Sequence, residues 1–428
     1  MAEQVYVVSA VRTPIGKFGG ALMGFSAADL GVITVRAALR RAFGDPLPAE
    51  RIPGESGEPA KWSFPWRVDE VIIGNARPAG TGPNLARQIA WRSGLGDDVP
   101  GFTVNMACAS GLRSVILGWR QIRDGDAEIM VVGGSESMSR VPYLMEGRWG
   151  FRLGNQPLID SMYRDGFQCQ IAKMVMGETA ELLASQYGIT REEQDQFALE
   201  SQRRAAAASA ECRFAAEIVP IELRDKKGNV TQFNKDEHIR PDTTMESLAK
   251  LAPVFSKTGT VTAGNSSGIT DGAAALVLAS ERKVKELKLK PLARLVDSAI
   301  AAVDPKVMGI GPVPAVRKLL AKTGTALDSY DAIELNEAFA AQVLACDRDL
   351  RFPRERLNPY GGAIALGHPI GCTGSRILTT LIYELQRQKT AANDAKSGSQ
   401  AGSKTARRGL ATLCVSGGLG VAVEVEAV

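Results

Sequence analysis

Histidine is the scarcest reactive residue in this chain: of 428 residues, only His238 and His368 can supply an imidazole. Any cysteine–histidine chemistry must take its base from one of these two. The six cysteines include no Cys-x-x-Cys pair, so neither a zinc site nor a disulfide framework is expected, and they read as reduced thiols. No run of 18 apolar residues occurs, which excludes an ordinary membrane-spanning helix. Met1-Ala2-Glu3-Gln4 passes directly into Val5-Tyr6-Val7-Val8 without a signal-peptide pattern, so the cytoplasm is the default location. A dense Lys/Arg stripe is also lacking. The net charge of +4 suits a small anionic substrate and gives no reason to expect nucleic acid.

What remains is the composition of a soluble enzyme, 45% hydrophobic and 23% charged. The length exceeds one ordinary core, so two or three domains are expected. Residues 5–10, 68–74, 102–104 and 128–134 read as apolar strands. Helices are expected from Ser26 to about Arg41, over residues 84–92, and from Cys108 to about Arg123. This alternation predicts an α/β fold with a largely parallel, buried sheet. Residues 44–67, with Trp62, Phe64 and Trp66, read as a surface insertion whose aromatics pack locally.

From about Ser139 to Gly268 the rhythm changes to helical and irregular segments, including a polar helix over 191–210 capped by Thr190. The C-terminal part then repeats the N-terminal one. Residues 330–336 answer 68–74, residues 371–377 answer the turn around Cys108, and residues 410–418 answer 129–134. The predicted organisation is an N-terminal α/β half (1–138 with 269–290), an inserted loop domain (139–268) and a C-terminal α/β half (291–428). Residues 388–408, rich in Ala, Ser, Lys, Gly and Gln, read as a surface linker. The repeat puts Cys108, His368 and Cys414 at corresponding strand-to-helix ends, where open sheets build their sites.

Four stretches carry candidate chemistry. Cys108 stands among Ala107, Ala109, Ser110 and Gly111 just before a helix, where the dipole favours a thiolate. Taken alone, a buried structural cysteine is the commoner fate of such a residue. His368 lies in a glycine-rich run, 361–371, with Pro369 beside it, a rigid setting suited to a positioned base. His238, in Lys235-Asp236-Glu237-His238-Ile239-Arg240, reads as a solvated surface residue. Asn336 opens Asn-Glu-Ala-Phe-Ala and is either a helix cap or a polar anchor for a water or carbonyl. Cys414 lies in Leu-Cys-Val-Ser-Gly-Gly, placed to serve as an acid or base toward a second substrate.

Cys-Ala-Ser-Gly at Cys108, Asn-Glu-Ala-Phe-Ala at Asn336, Gly-His-Pro at His368 and the late turn at Cys414 occur in an order that resembles the thiolase family. The likeness runs from Val5 to that last turn, outside the two insertions and the linker. It implies two repeated α/β halves packed as a layered αβαβα core with an inserted loop domain. It also implies a ping-pong acyl transfer in which His368 draws the proton from Cys108 and Cys414 moves a proton on the second substrate. Asn336, through a water, and His368 would form one oxyanion hole, and the backbone N–H groups of Cys108 and Ser416 the other. Ser416 stands where the family has glycine. Ser267, Ala338, Phe339, Met176 and Met308 match residues lining the pantetheine channel.

The implied partners are acyl-CoA and CoA as substrates, with no tightly bound cofactor and no metal. A homodimer or homotetramer is implied, with a fatty-acid oxidation complex as a possible partner. Acetoacetyl-CoA thiolases commonly carry a histidine before the Met-Gly at 176–177, whereas this chain has Val175. That departure leans toward a degradative, broad-chain 3-ketoacyl-CoA thiolase over an acetoacetyl-CoA-specific biosynthetic one. Two other readings are a Cys-His-Asn hydrolase, which needs no Cys414, and a non-catalytic CoA- or lipid-binding relative.

Overall fold

Runs rich in Val, Ile, Leu and Ala form the strands, because small and β-branched side chains suit a pleat covered on both faces. The structure, a computed structural model, describes residues 3–45, 47, 49–51, 53, 64–396 and 406–428. Its main strands are β1 (Val5–Arg12), β2 (Glu70–Gly74), β3 (Gly101–Val104), β4 (Ile129–Ser137), β5 (Thr270–Ser280), β6 (Ala293–Ala302), β7 (Ala332–Leu335), β8 (Arg407–Val415) and β9 (Leu419–Ala427). With the short segment Gly16–Lys17 they make one ten-stranded sheet in the order β7-β8-β9-β6-β1-β5-β4-β2-β3.

The order repeats outward from a narrow seam. β1 and β6 pair only at Tyr6 with Arg294 and Val7 with Ala293. From there β5, β4 and β2 follow β1 as β9, β8 and β7 follow β6. In both halves the first two pairings are antiparallel and the third parallel. The duplication expected from sequence is therefore present in strand order and direction. The expected largely parallel sheet is not: β5 runs back between β1 and β4, and β8 and β9 form a hairpin, which can only be antiparallel.

The helices used below are α1 (Ala27–Phe43), α2 (Leu85–Arg92), α3 (Ser110–Asp124), α4 (Met176–Tyr187), α5 (Arg191–Ala210), α6 (Pro312–Thr323), α7 (Ala340–Leu350) and α8 (Ile370–Lys396). Their starts follow local chemistry: Ser26 with Asp29, and Thr190 with Glu193, form reciprocal capping boxes. Strand alternation divides the core. Met130 and Val132 of β4 face a cluster shared with α3 and α8, whereas Ile129 and Val131 face α1 and α2. Ile333 of β7 and Leu410 of β8 pack with α6 and α7. The helices α3 and α8 thus lie in a core made by strands of both halves, and the other helices cover the remaining faces.

Between β4 and β5 the chain carries α4, α5 and three two-stranded ribbons. The expected linker at 388–408 begins instead as helix, since α8 continues to Lys396. Its Gln, Lys and Ala residues are good helix formers that extend a helix already docked. Residues 397–405 lie outside the described residues, as does Trp62. Phe64 and Trp66 pack locally as expected, Trp66 stacking on Phe43 at 4.2 Å between ring centroids. Among the described residues no helix is long and apolar enough to cross a membrane.

The contact that sets the site is the crossing of α3 and α8. A Cβ on Gly111 would lie 2.8 Å from the Gly371 carbonyl oxygen, and one on Gly374 would lie 2.5 Å from the Leu112 nitrogen. Hydrogen at these positions lets the two backbones touch, and Cys108 and His368 sit just before the two helices. Gly374→Ala is expected to lower stability by about 1–3 kcal/mol, because neither backbone can yield easily. Urea unfolding checks this, with Gly24→Ala as the control, since a Cβ there meets nothing within 4 Å.

Candidate active site

Cys108 owes its position to a tight loop between β3 and α3. Ala107 takes φ +44°, a left-handed conformation that costs a residue with a Cβ roughly 1–2 kcal/mol. The loop is held by Ala109 N–H to Met106 O and Ser110 N–H to Ala107 O, both 3.0 Å, while Ser110 Oγ receives the Met106 N–H at 2.9 Å. The Cys108 side chain is half-buried. Burial pushes its thiol up, opposed by the backbone N–H groups of Ser416 and Cys108 itself and by the charge of Arg77. The thiolate expected from the helix N-terminus is therefore not the resting state. The same two N–H groups named for the second oxyanion hole address the sulfur.

His368 stands between the one-turn helix Ala363–Leu366 and α8. Gly367 at φ +104° turns the chain, and a Cβ there would lie 2.4 Å from the Thr270 side chain. The His368 N–H donates to Gly268 O at 3.1 Å. Nδ1 lies 2.6 Å from Thr373 Oγ1, whereas Nε2 is buried without a hydrogen-bond partner. Burial, then the charges of Arg376 and Arg77, push this imidazole down to about 3, so it rests neutral.

Asn336 directly follows β7, and its N–H donates to Thr412 O at 3.0 Å. It is fully buried, yet neither Oδ1 nor Nδ2 has a partner. Phe339 caps α7, so Asn336 is not that helix's cap. A buried carboxamide unpaired at both ends is costly, which fits a polar anchor for a water or a substrate oxygen. Cys414 lies near the end of β8, before a hairpin turn containing Gly417 at φ +92° and Gly418 at φ +84°. It does not stand at the strand-to-helix end that the sequence suggested, because β8 returns directly as β9. Burial drives its thiol well up, and the nearby Cys108 thiol adds to the shift.

Cys108, His368, Cys414 and Ser416 line one cleft of about 470 Å³ with mostly apolar walls. Ser267, Ala338, Phe339, Met176 and Met308 line the same cleft, as does Val175. The loop before β5 is pinned to the start of α7 by Ser267 N–H to Ala338 O at 3.0 Å and Ala340 N–H to Asn265 O at 2.9 Å. Asn265 stiffens that loop by accepting from Thr262 N–H at 2.7 Å and donating to Asp195 at 2.9 Å.

Sequence reasoning misplaced His238. It is half-buried and lines the cleft, with its Nε2 over Gly268, where a Cβ would come within 2.1 Å. Of the charged run around it, Lys235 and Arg240 are exposed but the acidic pair between them is not free. Asp236 is buried against Arg12 at 2.7 Å and the Ile15 N–H at 2.8 Å, and Glu237 accepts from two backbone N–H groups. Two further residues carried no signal in their spacing. Arg77 lines the cleft, and its charge acts on both Cys108 and His368. Glu136 gathers Asn75 Nδ2 and the N–H groups of Ala76, Arg77 and Gly371 at 2.7, 2.8, 3.1 and 2.8 Å. It thereby ties the end of β4 to the start of α8.

Comparison with known proteins agrees with this geometry. The family models for the thiolase N-terminal domain and C-terminal domain match residues 64–282 and 289–427. The acetyl-CoA acetyltransferase of Pseudomonas aeruginosa is 47% identical over 98% of both chains. The crystal structure of the Bacillus anthracis acetyl-CoA acetyltransferase superposes with a TM-score of 0.88 at 43% identity, covering 100% of this chain and 99% of that one. Human mitochondrial 3-ketoacyl-CoA thiolase in complex with CoA gives 0.87 at 40% identity, covering 100% and 98%. The two-cysteine cleft, the duplicated sheet and these full-length matches together show that the chain belongs to the thiolase family.

Proposed function

We propose that the cleft carries out reversible thiolysis of 3-ketoacyl-CoA by a ping-pong route through an acyl-Cys108 intermediate. The single observation that supports this most is the meeting of two thiols and a neutral imidazole in one apolar cleft. His368 Nε2 takes the proton from Cys108, and the sulfur attacks the ketone carbon. The C2–C3 bond breaks, the acyl group stays on Cys108, and Cys414 delivers a proton to the departing acetyl-CoA carbanion. In the second half Cys414 takes the proton of an incoming CoA thiol. Its sulfur attacks the thioester, and Cys108 leaves with the proton held by His368. Claisen condensation is the reverse.

Oxygen charge in each tetrahedral state would be met by His368 and a water on Asn336, or by the N–H groups of Cys108 and Ser416. Ser267, Ala338, Phe339, Met176 and Met308 would guide the pantetheine arm. A CoA complex of a 40%-identical thiolase supports CoA substrates for this chain. Cys108→Ala should abolish uptake of one acetyl group from acetyl-CoA, seen by intact mass. Cys414→Ala should keep that adduct while turnover falls by about 10²–10⁴-fold. Loss of the adduct in Cys414→Ala, or CoA-dependent turnover in Cys108→Ala, would overturn the assignment.

We further propose a degradative preference across chain lengths, supported by Val175 on the cleft wall beside Tyr163, Phe167 and Phe255. An imidazole at that position would narrow the cleft and add a polar edge. Val175→His is expected to lower thiolysis of longer 3-ketoacyl-CoA relative to acetoacetyl-CoA by at least about tenfold, roughly one pocket methylene's worth of discrimination. A chain-length series on both proteins measures the ratio, and an unchanged ratio would remove Val175 from the argument.

The resting charges also predict a pH profile. With the Cys108 thiol raised and the His368 imidazole lowered, both are neutral near pH 7, so no preformed ion pair exists. Alkylation of Cys108 by iodoacetamide, followed by peptide mapping, should climb steadily up to about pH 9. It should show no step near the ordinary histidine value of about 6.5. A plateau beginning below about pH 7 would indicate a thiolate–imidazolium pair instead.

A further inference from the structure

We infer that Thr373 is the positioning residue that fixes the tautomer of His368, holding the ring proton on Nδ1 so that Nε2 faces the cleft as a bare acceptor. Thr373 is fully buried in the first turn of α8. Its Oγ1 lies 3.0 Å from Pro369 O and 2.6 Å from His368 Nδ1. A hydroxyl has one hydrogen, and a carbonyl can only accept. The hydrogen therefore goes to Pro369 O, the back-bond to residue i−4 that threonine makes in helices. The oxygen then receives a hydrogen from Nδ1. The opposite assignment would leave two oxygen lone pairs facing each other at 3.0 Å in a dry interior.

The consequence lies on the far side of the ring. With Nδ1 protonated and the imidazole neutral, Nε2 carries a lone pair, and it is the buried atom that has no partner. The charged groups acting on this ring, Arg376 and Arg77, are both cationic, so no carboxylate competes with Thr373 for the Nδ1 proton. Pro369 fixes the carbonyl that Thr373 needs, and the glycines beside it let α8 begin there. The inference rests on the acyl-transfer reading above. It adds that the base is oriented by a hydroxyl, where many catalytic histidines use a carboxylate.

The chain's two histidines make the tautomer directly readable. His238 Nδ1 lies 3.2 Å from Ala365 O, so it too must carry its hydrogen on Nδ1. In full-length protein labelled with ¹⁵N-histidine, long-range proton–nitrogen spectra near pH 7 should show both imidazoles as Nδ1–H, with His238→Gln identifying which is which. Thr373→Val keeps the shape but removes the acceptor. It should shift His368 to the Nε2–H form and slow acetylation of Cys108 by at least about tenfold, with little change in the KM for acetyl-CoA. Thr373→Ser should restore both tautomer and rate.

An Nε2–H signal for His368 in the unaltered protein overturns the inference even if Thr373→Val does not fold. Wild-type acetylation in a folded Thr373→Val protein also overturns it. Absence of any acetyl adduct in the unaltered protein would instead overturn the acyl-transfer reading itself.

Discussion

The site depends on two helices meeting backbone to backbone. α3 begins just after Cys108 and α8 just after His368, and they belong to opposite halves of a duplicated sheet. A Cβ on Gly111 or Gly374 would lie under 3.0 Å from backbone atoms of the other helix, so the helices would have to move apart by a sizeable fraction of an ångström. A displacement of that size matters because proton transfer needs heavy atoms within about 3 Å. The close approach continues into the sheet, where a Cβ on Gly134 would lie 2.0 Å from the Gly371 carbonyl oxygen. The Glu136 carboxylate then binds the Gly371 N–H and the Asn75–Arg77 loop into one unit. Glycines thus set how close the halves come, and one buried carboxylate sets their register.

Dry surroundings explain the electrostatics of the cleft. Burial disfavours charge on Cys108, Cys414 and His368, raising both thiols and lowering the imidazole. The two thiols and the imidazole then rest neutral beside the cationic Arg77. Fixed N–H dipoles are most effective in that setting, because no water must reorganise around them. Two such N–H groups, from Ser416 and Cys108, already address the sulfur. Asn336, outside the residues that line the cleft, is a buried carboxamide with unused hydrogen-bonding capacity.

The sequence exposed this site unevenly. Cys108, His368 and Cys414 stood out because small residues and glycines surround reactive side chains at the ends of apolar runs, a pattern that marks close approach. The internal repeat was readable because both halves keep the same apolar spacing. Strand direction was not, since β5 belongs with β1 and β4 only after a long insertion, and no local pattern records which neighbour a buried strand chooses. His238 was misread because the charges flanking it are consumed in tertiary pairs with Arg12 and backbone groups more than 200 residues away. Glu136 was invisible for the same reason: its four donors come from two segments, residues 75–77 and Gly371, each far from it in sequence.

Two thiols sharing one apolar cleft also impose an order on the proposed chemistry. Each would raise the other's pKa when ionised, and for Cys414 the Cys108 thiol stands next to burial among the causes of its shift. Simultaneous thiolates are therefore disfavoured, so Cys414 cannot readily take a proton while Cys108 is charged. On the proposed route, acylation would remove the obstacle by converting the Cys108 sulfur into a neutral thioester. Cys414 would then be free to ionise and receive the proton of the second substrate. On this argument the alternation of a ping-pong reaction does not need a moving element: it follows from placing two ionisable sulfurs in one low-dielectric cleft and letting the acyl group neutralise the first.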